Sequence, residues 1–255
     1  MEADLFESAA ESNGVKLVVP DRPGIGRSDP DRDRTFESWA GDLLVLADSF
    51  GAEEFAVTGW SEGGPWALAA AAYLDPARLV HVSTIAGGCY GTFGANWAAP
   101  LLSAQDAVGG RLALHFRPGL TLMYCLLGVV ATHFPRGYAN AISRVAGGAD
   151  LEVLADDAVM EIILSASREC FRQGARGLAA DAQLIYAAWP FDITRVERAV
   201  HFWQGTDDTF VPAAINREIA DRTPESVWHA VDGGGHFIAV SHATEILAAA
   251  ANDLR

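Results

Sequence analysis

Five short runs rich in apolar and β-branched residues punctuate the chain: VKLVVPD (15–21), EFAVTG (54–59), RLVHVSTIAG (78–87), AVHFWQG (199–205) and SVWHAVDG (226–233). Their length and their Gly, Pro and Asp boundaries predict buried strands. Between them the apolar spacing changes to the helical period. In TFESWAGDLLVLADSFG (35–51), Trp39, Leu43, Leu46 and Phe50 recur every three or four residues, which predicts a helix with these side chains in the core. Thr35 stands where an N-cap belongs, Ser38 follows in the first turn, and Gly51 stops the run. PWALAAAAYL (65–74) starts on proline and is apolar nearly all round, as a buried helix should be. ATEILAAAANDL (243–254) closes the chain as another helix. Strands that alternate with helices predict an α/β fold, a mostly parallel sheet flanked by helices on both faces.

Residues 91–190 break this rhythm. They hold helix-like stretches such as GLTLMYCLLGVVATHF and DAVMEIILSASRECFRQG and no convincing strand. The expected organisation is an α/β core formed by 1–90 and 191–255, interrupted by an all-helical insertion over 91–190. No internal repeat or low-complexity linker interrupts it.

Composition narrows the class. Half of the 255 residues are hydrophobic and a fifth are charged, as in a folded globular chain rather than a disordered one. A formal charge of −15 and a pI near 4.7 oppose binding to nucleic acid or to an anionic membrane surface. Cys89, Cys125 and Cys170 are odd in number and widely spaced. They are expected to be buried free thiols, offering neither a disulfide framework nor metal-ligand spacing. The N-terminal MEADLFESAAES lacks the basic flank and apolar stretch of a signal peptide. The uncharged, strongly apolar run from Pro118 to Thr132 is shorter than the roughly 18–20 apolar residues of a membrane span. A cytoplasmic chain without a membrane span is the expectation.

The chemistry concentrates at TGWSEGGPWALAAAA (58–72), which places Ser61 between a predicted strand and a predicted helix. A serine on such a turn has a strained backbone and small neighbours two positions away on each side, a demand that Gly59 and Gly63 meet, while Gly64 gives the helix room to pack. The helix beginning near Glu62 aims free N–H groups at the serine, so the Glu62 amide is the candidate oxyanion donor. Trp60, beside the nucleophile, is a candidate for contact with substrate, facing either the pocket or the core.

A serine hydroxyl needs a general base. Of seven histidines, His81, His201 and His229 fall in strand runs, and His115 and His133 in the insertion. His236 follows three glycines in DGGGHFIAV, between the last strand and the terminal helix, and is favoured over His242. The imidazolium needs a carboxylate to orient it. WQGTDDTFVP (203–212) supplies Asp207 and Asp208 just after a strand, whereas Asp232 is expected to shape its own turn.

The pieces VPDRPGIGRSD, GWSEGG, GTDDTFVP and GGGHF, in this order, resemble the α/β-hydrolase superfamily of serine-dependent hydrolases. The resemblance spans nearly the whole chain outside the insertion. It implies that Asp208, three positions after the glycine and four before the proline, is the acid, with Asp207 the second choice. It also implies that Asp21, Arg22 and Ser28 support a turn near the site, and that 91–190 is a helical cap lining the pocket. No metal or organic cofactor is implied.

One part of that pattern is missing. The family's H-G-x-P-G-like loop, which carries the second oxyanion N–H, does not occur ahead of the elbow, and the chain resembles an N-terminally shortened member lacking the first three strands. Without a third strand, VKLVVPD must slide next to EFAVTG or leave backbone groups unpaired. Two explanations compete: a start assigned inside a longer reading frame, or a truly shortened gene. The expected function is hydrolysis of carboxylic esters or related acyl compounds through an acyl-enzyme on Ser61, with His236 as base and Asp208 as acid. The alternatives are a weak or inactive binding or scaffold protein and, within enzymes, acyl transfer or perhydrolysis. The expected partner is a small acyl substrate with an apolar group. TLMYCLLGVV and FGANWAAPLL are candidate surfaces for a homodimer or for lipid contact.

Overall fold

The computed structural model describes residues 2–254. The helices and strands follow one another as α1 (Glu7–Asn13), α2 (Phe36–Ser49), β1 (Phe55–Trp60), α3 (Gly64–Tyr73), β2 (Leu79–Ile85), α4 (Ala104–His115), α5 (Arg117–His133), α6 (Pro135–Val145), α7 (Gly148–Leu154), α8 (Asp157–Cys170), α9 (Arg176–Tyr186), β3 (Val200–Gly205), α10 (Ala213–Arg222), β4 (Ser226–Val231), α11 (Ile238–Ser241) and α12 (Ala243–Asp253). Among the described residues the sheet has four strands in the order β1-β2-β3-β4, every pair parallel. Parallel neighbours need a crossover, and α3 and α10 provide it at the two outer pairs. Between β2 and β3 the chain instead makes the six helices α4 to α9. The α/β architecture expected from the alternating pattern is the one observed.

Burial follows from position in the sheet. β2 and β3 lie in the middle and are buried almost throughout, which is why they read as continuous apolar runs. β1 and β4 lie at the edges and are half-buried. α3 packs its alanines against β1 and β2 and is buried on nearly every side. Beneath it, Phe36 meets Trp66 at 4.7 Å and Phe191 at 5.4 Å between ring centroids, tying α2, α3 and the segment before β3 into one core. Thr35 and Ser38 cap α2 reciprocally.

The run 15–21 departs from expectation and forms no strand. Val15 and Leu17 pack on the contact of α1 with α12, and the Lys16 ammonium lies 4.1 Å from the Phe50 ring centre. Val18 and Val19 are exposed, and residues 16–20 make no backbone–backbone hydrogen bond among the described residues. β propensity expresses itself only where a neighbouring strand accepts the N–H groups, and among the described residues β1 is paired with β2 alone. Phe50 also leaves the expected core: it follows the last turn of α2 and is exposed.

The cysteines divide in the same way. All three are free, but only Cys89 is buried; Cys170 is half-buried and Cys125 is exposed on α5. Burial raises the Cys89 thiol far above its ordinary pKa and the Cys170 thiol to about 11. α5 also exposes Leu122 and Leu126, and Phe134 just beyond it. Among the described residues, no single helix is long and apolar enough to cross a membrane.

The loop after 15–21 is fastened to the helical insertion by charge. Arg22 Nε donates to Asp181 Oδ2 at 2.5 Å, and Arg34 Nη1 lies 2.8 Å from Asp181 Oδ1. Arg34 also donates to the carbonyls of Pro23 and Gly177. The Asp181 side chain is completely buried in α9. Ser28 Oγ donates to the Asp21 carbonyl, and Asp21 Oδ2 accepts from the Arg27 amide, so these side chains close the turn over residues 21–28. Removing one partner of a buried ion pair strands the remaining charges. Asp181→Ala is therefore expected to lower unfolding free energy by about 3–5 kcal/mol, measured by denaturant titration against an exposed control, Asp221→Ala.

Candidate active site

Ser61 sits at the C-terminal end of β1, between the strand and the short 3-10 turn that leads into α3. Its φ is +53°, a left-handed conformation that a non-glycine residue rarely adopts. The turn is close-packed. A Cβ on Gly59 would stand 2.2 Å from the Gly63 carbonyl oxygen, and one on Gly64 would stand 2.6 Å from Thr84 Oγ1 and 2.8 Å from Gly87 Cα. Gly63 has open space instead, so it does not carry the steric demand expected of it. The Gly88 amide donates to the Ser61 carbonyl at 2.9 Å and fixes the turn to the loop after β2.

His236 reaches this serine from the loop between β4 and α11. Its Nε2 lies 2.9 Å from Ser61 Oγ, and its Nδ1 lies 3.0 Å from Asp208 Oδ2. Asp208 follows β3 and its side chain is fully buried. Its Oδ1 accepts from the amides of Phe210 at 2.8 Å and Val211 at 2.9 Å, and Gln204 Nε2 donates to Oδ2 at 3.2 Å. Ser61, His236 and Asp208 thus form one hydrogen-bonded chain along the rim made by the strand ends. Of the competitors, exposed Asp207 is turned toward Thr206, and His242 bonds to Ser241 at the start of α12.

Two residues have functions that the sequence did not suggest. Asp150 in α7 is buried, and its carboxylate accepts from the amides of His236 and Phe237, both at 2.8 Å. A carboxylate from the helical insertion therefore anchors the histidine loop across 86 residues of chain. Its only sequence signal was an acidic residue in the first turn of a helix, a common solvent-facing feature. Trp60 also differs from expectation. Its indole N–H donates to the His236 carbonyl at 2.9 Å and its ring packs edge-on against Phe237. Trp60 buttresses the loop from behind and does not line the cavity.

The cavity in front of Ser61 has a volume of ≈ 290 Å³. Its wall includes Glu62, Tyr90, Asp106, Phe210 and His236, with no lysine or arginine. Asp106 is held in place by Ser103 Oγ at 2.7 Å and the Tyr186 hydroxyl at 3.0 Å. Burial raises the Glu62 carboxyl above its ordinary pKa; Arg22 opposes the rise, while Asp181 and Asp106 reinforce it. The Tyr124 hydroxyl donates to Glu62. The expectation of an apolar pocket is thus modified: two acidic residues, Glu62 and Asp106, stand among the lining residues beside the aromatic wall.

An elbow serine at the end of a parallel strand, with a histidine and a buried aspartate arriving on later strand ends, defines a class of α/β fold. Residues 2–250 match the model of the alpha/beta hydrolase family, and the chain belongs to that family. No curated protein matches the sequence. The fold is shared with an esterase from Rhodococcus sp. ECU1013 at 17% identity and TM-score 0.62, covering 100% of this chain and 87% of that one. An esterase from Exiguobacterium antarcticum is similar at 12% identity and TM-score 0.66, covering 98% and 87%. A putative non-heme bromoperoxidase from Mycobacterium tuberculosis H37Rv is similar at 16% identity and TM-score 0.65, covering 97% and 85%.

The raised Glu62 pKa has a signed consequence. Its neutral form is favoured by the fold, so its contribution is fully present below the ordinary value of 4.5 and is lost as pH rises through the folded value. Glu62→Gln, neutral at every pH, is expected to melt higher than wild type at pH about 7–8, with the gap closing toward pH about 4 in thermal scans.

Proposed function

We propose that the protein is a serine hydrolase of small carboxylic esters. The observation that carries this reading is the chain of 2.9 Å and 3.0 Å hydrogen bonds from Ser61 through His236 to Asp208, at a serine held with φ +53°. Ser61 Oγ attacks the ester carbonyl while His236 Nε2 takes its proton, and Asp208 stabilises the imidazolium. The Glu62 amide, at the turn entering α3, donates to the developing oxyanion. His236 then passes the proton to the departing alkoxide, leaving an acyl group on Ser61. A water, deprotonated by His236, attacks the acyl-enzyme; the acid departs and the proton returns to Ser61.

Residues 91–190 act as a cap in this reading, because Asp106 and Val145 bring α4 and α6 to the cavity wall. The cavity is at the small end of the range for ligand sites, which fits a short acyl chain. Asp106 on the wall makes the cavity unfavourable for an anionic acyl group, so the preferred substrate is uncharged or cationic.

Two measurements test the proposal. A fluorophosphonate probe is expected to label wild type and to lose its target in Ser61→Ala, with turnover of a short neutral ester falling by at least about 10³-fold. A folded wild type that neither labels nor hydrolyses any ester would favour a non-catalytic binding protein. Charge selection is read from the ratio of kcat/KM for a neutral ester to that for a carboxylate-bearing ester of equal length. Asp106→Asn is expected to shift that ratio toward the anion by about tenfold, the order expected for one charge near a partly solvated site.

A further inference from the structure

The face of the sheet beneath α12 carries a second group of chemically active side chains, at the opposite ends of the strands from Ser61. His81 lies near the start of β2, His201 near the start of β3 and His229 in the middle of β4. Ser83 pairs with His201, and Trp203 with His229; because strand side chains alternate, the three imidazoles project from one face. The rings form a row, with centroids 4.5 Å apart for His81 and His201 and 5.2 Å for His201 and His229. Asp253, at the last turn of α12, reaches down to this row.

We propose that His81, His201 and Asp253 bind a divalent transition-metal ion of the zinc type, which fastens the C-terminal helix to the sheet. One donor atom from each of the three residues lies within 4.8 Å of the others. Of the three, the exposed Asp253 carboxylate and the half-buried His201 ring have the most room to adjust to an ion. The nitrogens that do not bind are already held. His81 Nε2 lies 2.7 Å from Ser83 Oγ, leaving Nδ1, which faces Asp253 Oδ2 at 2.7 Å. His201 Nδ1 lies 3.0 Å from His229 Nε2, leaving its own Nε2. His229 is fixed in turn by a parallel stack on Trp203, with centroids 3.8 Å apart. Ligating histidines characteristically have such a partner on the second nitrogen, because it sets ring orientation and tautomer.

Ligation through Nδ1 requires the His81 proton to be on Nε2, where it points at Ser83 Oγ, and a proton on Nδ1 leaves to solvent as the ion binds. His201 keeps its proton on Nδ1, donated to His229, and the ionised Asp253 supplies the negative charge. Two imidazoles, one carboxylate and a water complete a four-coordinate shell suited to zinc. Asp253 is exposed, so an ion can enter from solvent without unfolding the sheet. The hydrolytic machinery at the other strand ends does not use these groups, so this inference is independent of the proposed reaction.

Isothermal titration of chelator-treated full-length protein with ZnCl2 tests the proposal. One saturable equivalent per chain is expected, together with a rise in melting temperature. His201→Ala is expected to weaken binding at least tenfold. Asp253→Asn, at an exposed helix end where loss of fold is not at issue, is expected to do the same. His115→Ala and His133→Ala, away from the row, are expected to leave binding unchanged. Absence of saturable binding by wild type, or equal binding by wild type and Asp253→Asn, overturns the site.

Discussion

A parallel strand that ends at Trp60 and a helix that starts at Gly64 leave three residues in which to turn the chain, and Ser61 takes the left-handed conformation that this requires. The turn persists because its surroundings leave little alternative. β1 is bonded to β2 along its length, α3 is buried almost completely, and Gly59 and Gly64 allow backbone and side-chain atoms closer than any Cβ would permit. The candidate chemistry depends on this constraint. The same turn that projects the hydroxyl beyond the sheet rim also brings the Glu62 amide to the beginning of a helix, where its N–H is not used within the helix.

The histidine and aspartate reach the serine through two kinds of support. The first is local: the Phe210 and Val211 amides clamp Asp208 within its own loop. The second is long-range. Asp150 accepts two amides of the histidine loop, Trp60 donates to the carbonyl of His236, and Thr209 Oγ1 donates to the Val145 carbonyl at 2.6 Å. Two of these three contacts originate in the helical insertion, so the insertion supports the geometry of the strand ends as well as contributing residues to the cavity wall. The charged cluster around Asp181 extends the same principle to the loop at 22–34, joining the edge of the α/β core to α9.

Acidity at the cavity wall and histidines on the sheet face were both present in the sequence as ordinary residues. Asp106 carries no signal in the sequence and Glu62 enters there only through its amide; folding places both residues in the lining of one cavity. His81, His201 and His229 read correctly as strand residues, since each lies in its predicted run. That they share a face depends on strand register, which a sequence pattern does not specify.

The chain by itself determined the features encoded over a few adjacent residues: four of the strands, the capped helix α2, the elbow glycines around Ser61, the glycine loop before His236 and the two carboxylates after β3. Turn chemistry and the alternation of strand with helix act locally, so their signals survive without coordinates. Tertiary structure decided whatever required a distant partner. It left VKLVVPD outside the sheet because no neighbouring strand pairs with it, and it turned Trp60 behind the histidine loop instead of into the cavity. It also recruited Asp150 from a helix 86 residues away. Hydrogen bonds between segments so far apart depend on which elements become neighbours, and that is set by packing of the whole core rather than by any short run of residues.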